Sequence, residues 1–411
     1  MASKETVVLA YSGGLDTSCI LVWLIEQGYK VIGFLADVGQ NEDFEVAREK
    51  GLRLGAEKKQ RNMYIEDCKK EFVEEFIWPA VQANAKYEDR YLMGTALARP
   101  CIARKLIEVA KKENATYISH GATGKGNDQV RFEIACYALF PTIKVIAPWR
   151  MENFLSRFAG RNDLLQYAAE KTIPVSATKS KSWSMDANLM HISFEGGELE
   201  NPATAADSDM YMMTVSPEKA PDKADHISIE FKTGYPVKVK THDGRVLEES
   251  LQLFVYLNEI AGKHGIGRID IVENRFIGMK SRGCYETPAG TVLQEAHIDL
   301  ELLTMDREVL KLKQYLKREF ETQVYNGMWY SPECEYTRAC IALSQNVVDG
   351  TVHLKLYKGG VYVMSRESPR SLYNQDLVSM EVEGDHNAAD ATGFIRLNAL
   401  RSREFQRVKR S

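Results

Sequence analysis

The chain has no C-x-x-C pair, no G-x-S-x-G elbow, no G-x-G-x-x-G turn after a strand and no G-x-x-x-x-G-K-[ST] loop. These absences remove the main supports for dithiol redox chemistry, an α/β-hydrolase, a dinucleotide dehydrogenase and the common lysine-bearing NTPase loop. Its eight histidines are scattered without metal-ligand spacing, so no protein-held metal site is expected. The seven cysteines form an odd set, several of them among apolar residues as small hydrophobes, which fits a reducing compartment. No apolar run approaches a membrane span, and Met-Ala-Ser-Lys leads straight into a strand pattern without room for a signal peptide, so a cytoplasmic address is expected. A formal charge of −4 supplies no global basic field for nucleic acid or an anionic membrane.

What is present begins at residues 6–18, a buried-strand pattern that runs into glycines and then into an apolar helix. Gly13 and Gly14 let an anion approach the backbone, the helix start presents unpaired N–H groups, and Ser12, Thr17 and Ser18 add hydroxyls. The segment resembles the S-G-G-x-D-[ST] loop of the ATP pyrophosphatases, which split ATP between its α and β phosphates. Asp16 has two readings, a position for Mg²⁺ on the triphosphate or a helix cap.

With 411 residues and 44% apolar content the chain can bury a large core in two or three domains. Apolar segments at 6–10, 30–35, 62–65, 117–119 and 144–147 read as strands. Those at 17–27, 42–54, 67–78, 98–112 and 128–139 read as helices, with stops at Gly28, Gly55 and Pro79. Such alternation predicts an α/β fold, a doubly wound parallel-sheet nucleotide-binding domain whose ligands sit at the carboxyl ends of the strands. Loops 12–17, 36–41 and 120–127 are therefore expected to meet.

The character changes near residue 170, where Pro174, the polar stretch 179–188 and the proline-containing run 198–221 read as connections. A second α+β domain is expected beyond them. Its hairpins are read at 226–231 with 236–240 and at 352–356 with 361–365. Helices are read at 249–263, 288–303 and 306–325, and a strand at 268–273. The expected division is 1–170, 171–365 and 366–411. In the last part, Phe394, Leu397, Leu400, Phe405 and Val408 fall near helical spacing. That amphipathic helix is expected to pack on its own subunit, although its length allows it to reach another.

Loop 120–128 is the candidate second half of the nucleotide site, because Gly121, Gly124 and Gly126 leave backbone bare at a strand exit; Lys125 lacks the position of a Walker lysine. Residues 87–91 with Arg99 and Pro100 form a polar cluster that reads equally well as a solvated loop. Arg131, one helical turn beyond the glycines, either clamps a substrate carboxylate or makes a surface ion pair. Residues 181–189 have the composition of a pocket-lining loop. Glu273, ending an apolar strand, calls for a cation: a substrate ammonium, or Arg275 or Arg282.

Taken in order and spacing, segments 10–18, 87–91, 119–128, 183–186, 267–270 and 282–290 resemble the argininosuccinate synthase family of ATP pyrophosphatases over nearly the whole chain. The resemblance implies ligation of citrulline to aspartate with release of AMP and pyrophosphate, in arginine biosynthesis or the urea cycle. It also implies a homotetramer held partly by the C-terminal helix. By the resemblance, Ala10, Tyr11, Ser12, Gly13, Gly14, Leu15, Asp16, Thr17, Ser18 and Ala36 hold ATP with Mg²⁺. Ser119, His120, Gly121, Ala122, Thr123, Gly124, Lys125, Gly126 and Asn127 close around it. Thr123, Asn127 and Asp128 are implied for aspartate; Tyr91, Asn127, Arg131, Ser184, Ser193, Glu273 and Tyr285 for citrulline. Asp16, Asp128 and Arg131 are the candidates nearest the chemistry. One position departs from the family pattern: Ala96 follows Thr95 where many relatives have a hydroxyl residue. Weakened citrulline binding at most is expected, with Thr95 or water offsetting the loss. Two rivals stay open, a different ATP-pyrophosphatase synthetase and a non-catalytic nucleotide-binding protein of the same fold.

Overall fold

The computed structural model describes residues 5–56, 63–175, 183–379 and 387–410. The N-terminal half runs β1 (Thr6–Ala10), α1 (Leu15–Glu26), β2 (Lys30–Asp37), α2 (Phe44–Arg53), β3 (Met63–Asp67), α3 (Lys69–Phe72), α4 (Trp78–Ala83), α5 (Gly94–Lys112), β4 (Tyr117–Ser119), α6 (Asp128–Leu139), β5 (Lys144–Ile146), α7 (Glu152–Leu155) and α8 (Arg161–Glu170). Its five strands are all parallel in the order β3-β2-β1-β4-β5. Alternate residues of β1 feed opposite faces, as strand geometry requires. Val7 and Leu9 pack with Trp23, Leu164 and Tyr167 on one side, while Val8 joins Leu106, Ile107 and Cys136 on the other. Both faces are thus covered by helices, and the order reverses between β1 and β4. That switch point is where such sheets bind ligands.

The helix expected to stop at Pro79 instead passes through a π turn (Val73–Ile77) and continues as α4 to Ala83. Proline at the first turn of a helix needs no N–H partner, and the wider turn before it relieves the clash its ring would cause. Asn62 of the third expected strand lies outside the described residues.

The second half supplies β6 (Ser184–Ala187), β7 (Ile192–Glu195), β8 (Asp225–Lys232), β9 (Tyr235–Lys240), β10 (Val246–Leu247), α9 (Ser250–Lys263), β11 (Arg268–Asn274), β12 (Lys280–Glu286), α10 (Pro288–Thr304), α11 (Arg307–Tyr325), α12 (Pro332–Ser344), β13 (Gly350–Tyr357), β14 (Gly360–Glu367), α13 (Gln375–Val378) and α14 (Asp390–Arg410). Two antiparallel sheets form, β11-β12-β7-β6 and β10-β9-β8-β13-β14. Both expected hairpins are present; Thr233-Gly234 and Lys358-Gly359 turn with positive φ at both positions, matching the twist of the strands they join.

Residues 184–187 form a strand, not a loop, because Asp186 and Ala187 gain ladder partners in Ser193 and Ile192; residues 179–182 lie outside the described part. Helix α14 has no buried residue: Phe394, Leu397 and Phe405 are more than half exposed. No helix among the described residues is long and apolar enough to cross a membrane.

Candidate active site

At the switch point, Gly14 is the N-cap of α1, and the first helical bond runs from Ser18 N–H to Gly14 C=O. The N–H groups of Leu15, Asp16 and Thr17 therefore have no partner within the helix, and a glycine cap brings no side chain to occupy them. Such an end accepts an anion. Of the two glycines only Gly13 takes a left-handed conformation (φ +74°), while Gly14 is extended. A Cβ on Gly13 would stand 2.9 Å from that of Ala47 on α2. The turn is held from within by Ser12 Oγ and Thr17 Oγ1 at 3.0 Å and by Tyr11 O–H and Ser18 Oγ at 3.2 Å. Lys50 on α2 donates to Gly13 C=O at 2.8 Å.

The second glycine loop lies against the first: a Cβ on Gly121 would be 3.0 Å from the Thr17 methyl. Ala122 N–H donates to His120 Nδ1, so the His120 proton sits on Nε2 and is given to Glu133 at 3.0 Å. Gln129 Nε2 donates to the carbonyls of Gly124 and Gly126 and holds the loop's far end.

Two cavities open here. The larger, about 620 Å³, is lined by Ala10, Tyr11, Ser12, Asp16, Thr17 and Ala36 together with His120. The smaller, about 250 Å³, is lined by Tyr91, Thr95, Thr123, Gly126, Asn127, Arg131, Ser193, Glu273 and Tyr285. Gly121, Ala122, Asp128 and Asp186 border both.

Eight sequence candidates line neither cavity. Gly13 and Gly14 shape the turn, Leu15 packs on the core, and Ser18 and Ser119 are fully buried. The Gly124 carbonyl is taken by Gln129, the Lys125 carbonyl by Arg275 at 3.4 Å, and Ser184 is exposed on β6. Ala96 is buried in the apolar core, so Thr95 brings the hydroxyl into the cavity from this stretch.

Charge is concentrated where the cavities meet. Arg99 Nη2 bonds Asp128 Oδ2 at 2.8 Å and Asp186 Oδ2 at 2.7 Å, and Arg131 Nη1 bonds Asp128 Oδ1 at 3.1 Å. Burial pushes the Asp128 carboxyl up, but Arg99 and Arg131 more than reverse this and hold it at about 2. It is a fixed anion and a poor base at neutral pH. Arg131 is buried, not a surface residue; its Nε donates to Tyr325 C=O at 2.9 Å and its guanidinium lies over the Tyr325 ring.

Glu273 is 6% exposed, and neither nearby arginine meets it. Arg275 pairs with Glu195, and Arg282 pairs with Asp270 at 2.7 Å. Burial raises the Glu273 pKa, with Tyr325, Arg131 and Tyr285 opposing, and its Oε2 has no hydrogen-bond partner among the described residues. Asn127 Oδ1 is likewise buried without one. Unmet buried polar atoms beside a cavity are what a missing ligand leaves.

Asp16 sits in the first turn of α1 and is not its cap; burial raises its pKa against the pull of Arg161. No group of three His, Cys, Asp or Glu among the described residues could hold a metal.

The family models for the arginosuccinate synthase N-terminal HUP domain and C-terminal domain match residues 6–174 and 183–405. The chain belongs to the argininosuccinate synthase family. It is 63% identical over 410 residues to the argininosuccinate synthases of Xenopus tropicalis and Homo sapiens, covering 100% of this chain and 98% of each relative. The Danio rerio argininosuccinate synthase is 62% identical over 408 residues, covering 99% of this chain and 98% of its own.

Family membership agrees with the α/β architecture and makes the chain an ATP-using ligase. Sequence reading missed the roles of Asp186, Glu195, His191 and Lys50 in this argininosuccinate synthase fold. Arg99 carried a signal, a charge within the polar cluster, yet its placement on α5 facing two carboxylates comes only from the fold. Glu195 carried none.

Proposed function

We propose that this chain joins citrulline to aspartate at the expense of ATP, giving argininosuccinate, AMP and pyrophosphate in arginine biosynthesis or the urea cycle. The observation that carries the reading is the shared border of the two cavities at Gly121, Ala122, Asp128 and Asp186. ATP occupies the larger cavity with its outer phosphates at the α1 N-terminus. Citrulline occupies the smaller one, its ammonium on Glu273 and its carboxylate toward Arg131. Among the described residues no cation pairs with Glu273, Arg275 and Arg282 being engaged elsewhere, which supports this orientation, since a buried carboxylate is costly until a partner arrives.

The ureido oxygen then faces the α-phosphorus. An oxygen–phosphorus bond forms, the bond to the β-phosphate oxygen breaks, and pyrophosphate leaves with the electron pair to the α1 amides and the Ser12 and Thr17 hydroxyls. Neutral urea is a poor electrophile; the resulting citrullyl-adenylate has an activated carbon. The aspartate amine, held through Thr123, Asn127 and Asp128, attacks it and AMP departs. Positioning and charge neutralisation carry both steps. Asp16, which lines the larger cavity from the first turn of α1, would hold a Mg²⁺ bound to the triphosphate, and that ion would spread the phosphate charge.

The same reading assigns residues 1–170 to the nucleotide domain, 171–365 to the synthetase domain and 366–411 to oligomerisation. The exposed apolar face of α14 supports association between copies of the chain, read here as a homotetramer; the same reading takes the subunits as cytoplasmic, without nucleic acid or membrane partners. The test is incubation of the purified protein with ATP, Mg²⁺, citrulline and aspartate, omitting each in turn. AMP and pyrophosphate that require citrulline are expected; release that ignores citrulline would refute the assignment.

A further inference from the structure

His191, just before β7, is fully buried and takes no part in the chemistry above. Its ring stacks on Tyr285 (centroids 5.7 Å apart, planes 16° apart) and lies beside Tyr91 at 5.9 Å. Gly94 is pressed against it so closely that a Cβ there would overlap the ring. Its Nε2 is 2.8 Å from Thr95 Oγ1, which in turn is 3.1 Å from Asp186 Oδ2. Burial, reinforced by Arg99 and Arg131, lowers the imidazole to about 3, so the ring is neutral at working pH.

The available protons set the direction of this chain of contacts. Asp186, paired with Arg99, offers only acceptors, so the single Thr95 hydroxyl proton goes to it. Thr95 must then receive a proton from His191, whose Nε2 is the protonated nitrogen. Nδ1 is left as a bare acceptor, and it is the His191 nitrogen without a partner among the described residues. That outcome is the cheaper one, because buried N–H groups are orphaned more rarely than acceptors. A hydroxyl has two lone pairs. One now holds His191, and the other, beside the Tyr91 hydroxyl, belongs to a side chain that lines the smaller cavity.

We infer that His191 is a positioning residue that locks the Thr95 hydroxyl as an acceptor for a substrate N–H, so that the smaller cavity selects a molecule with a donor at that point. The inference rests on citrulline occupying this cavity. Because Thr95 has no proton to give, it does not bind the ureido oxygen, which stays free for the α-phosphorus. Citrulline carries N–H groups at both ends, and the analogue 5-ureidopentanoate, which lacks the amino group, separates them.

The test is a double-mutant cycle of His191→Phe and Thr95→Val, read as KM for citrulline and for ATP by pyrophosphate release. Phe keeps a ring against the two tyrosines and removes the donor. H191F is expected to raise KM for citrulline about three- to tenfold, the worth of one hydrogen bond, with KM for ATP within about twofold. In the T95V background it should add nothing. His191→Gln, which retains a donor, is expected to restore citrulline KM toward the parent value. An H191F effect of equal size with and without Thr95 would overturn the inference, as would equal KM changes for ATP and citrulline. Should H191F fold poorly, the ring ¹⁵N shifts of the unmodified protein decide: Nε2–H supports the arrangement and Nδ1–H refutes it. Inhibition by 5-ureidopentanoate that T95V weakens assigns the contact to the ureido group; inhibition indifferent to T95V assigns it to the ammonium. If the unmodified protein shows no citrulline-dependent pyrophosphate release, the functional reading fails instead.

Discussion

Gly121 and Thr17 bring two distant turns into contact, with only 3.0 Å between the Thr17 methyl and the place a Gly121 side chain would begin. One turn follows β1 and the other β4, so this contact closes the crevice where the sheet order reverses. Adding a methyl demands a shift of a few tenths of an ångström, and a branched side chain demands more. Gly121→Ala is expected to raise KM for ATP by about threefold and Gly121→Val by more than tenfold, with thermal unfolding little changed. Equal loss of stability and of ATP affinity would show that the contact serves packing alone.

Glu273 couples function to a stability cost. Its folded pKa is raised from 4.5, so the native state holds its proton more tightly than the unfolded chain does. Stability therefore falls as pH rises from about 4.5 through the folded value, and the penalty persists at neutrality. Glu273→Gln is expected to match or exceed the parent melting temperature at pH 7. Its KM for citrulline should rise on the order of tenfold to a hundredfold. Calorimetry alongside steady-state kinetics checks both.

Asp128 has the opposite sign. Its folded value of about 2 lies below the ordinary 3.8, so its stabilising contribution is present above pH 3.8 and is lost as pH falls through about 2. Activity between pH 5 and 9 should show no titration from it. Asp128→Ala is expected to slow the second step more than it weakens ATP. Single-turnover trapping of the adenylate measures this, and an unchanged second-step rate would count against the role.

Lys50 supplies a cation from α2 to a turn that has no lysine of its own, bonding Gly13 C=O while Ala47 fills the space over that glycine. Lys50→Met is expected to raise KM for ATP about three- to tenfold and to leave KM for citrulline unchanged. Inhibition by pyrophosphate should weaken in parallel.

The apolar side chains of α14 predict assembly. Leu397→Asp with Phe405→Asp is expected to shift the protein to smaller species in light scattering after size exclusion. An unchanged mass would mean that other surfaces hold the oligomer.

The N-terminal fold was legible because its strands are short apolar runs alternating with helical patterns, and β1, β4 and α6 fall where the pattern placed them. Strand β12 was not, since Lys280, Arg282 and Gly283 break any alternation and its pairing with β7 and β11 is tertiary. Around the site, the left-handed turn at Gly13 and the place of Arg131 on α6 were readable from local chemistry. The Arg99 bridge to Asp128 and Asp186 was not, because it joins α5, α6 and β6 through contacts that no local spacing encodes.

In the proposed reaction the citrulline ureido oxygen attacks the α-phosphorus across the border of the two cavities. Turnover of citrulline labelled with ¹⁸O in the ureido group tests it directly by mass spectrometry of the products. One ¹⁸O in AMP and none in pyrophosphate is predicted; label in pyrophosphate or in neither product would contradict it.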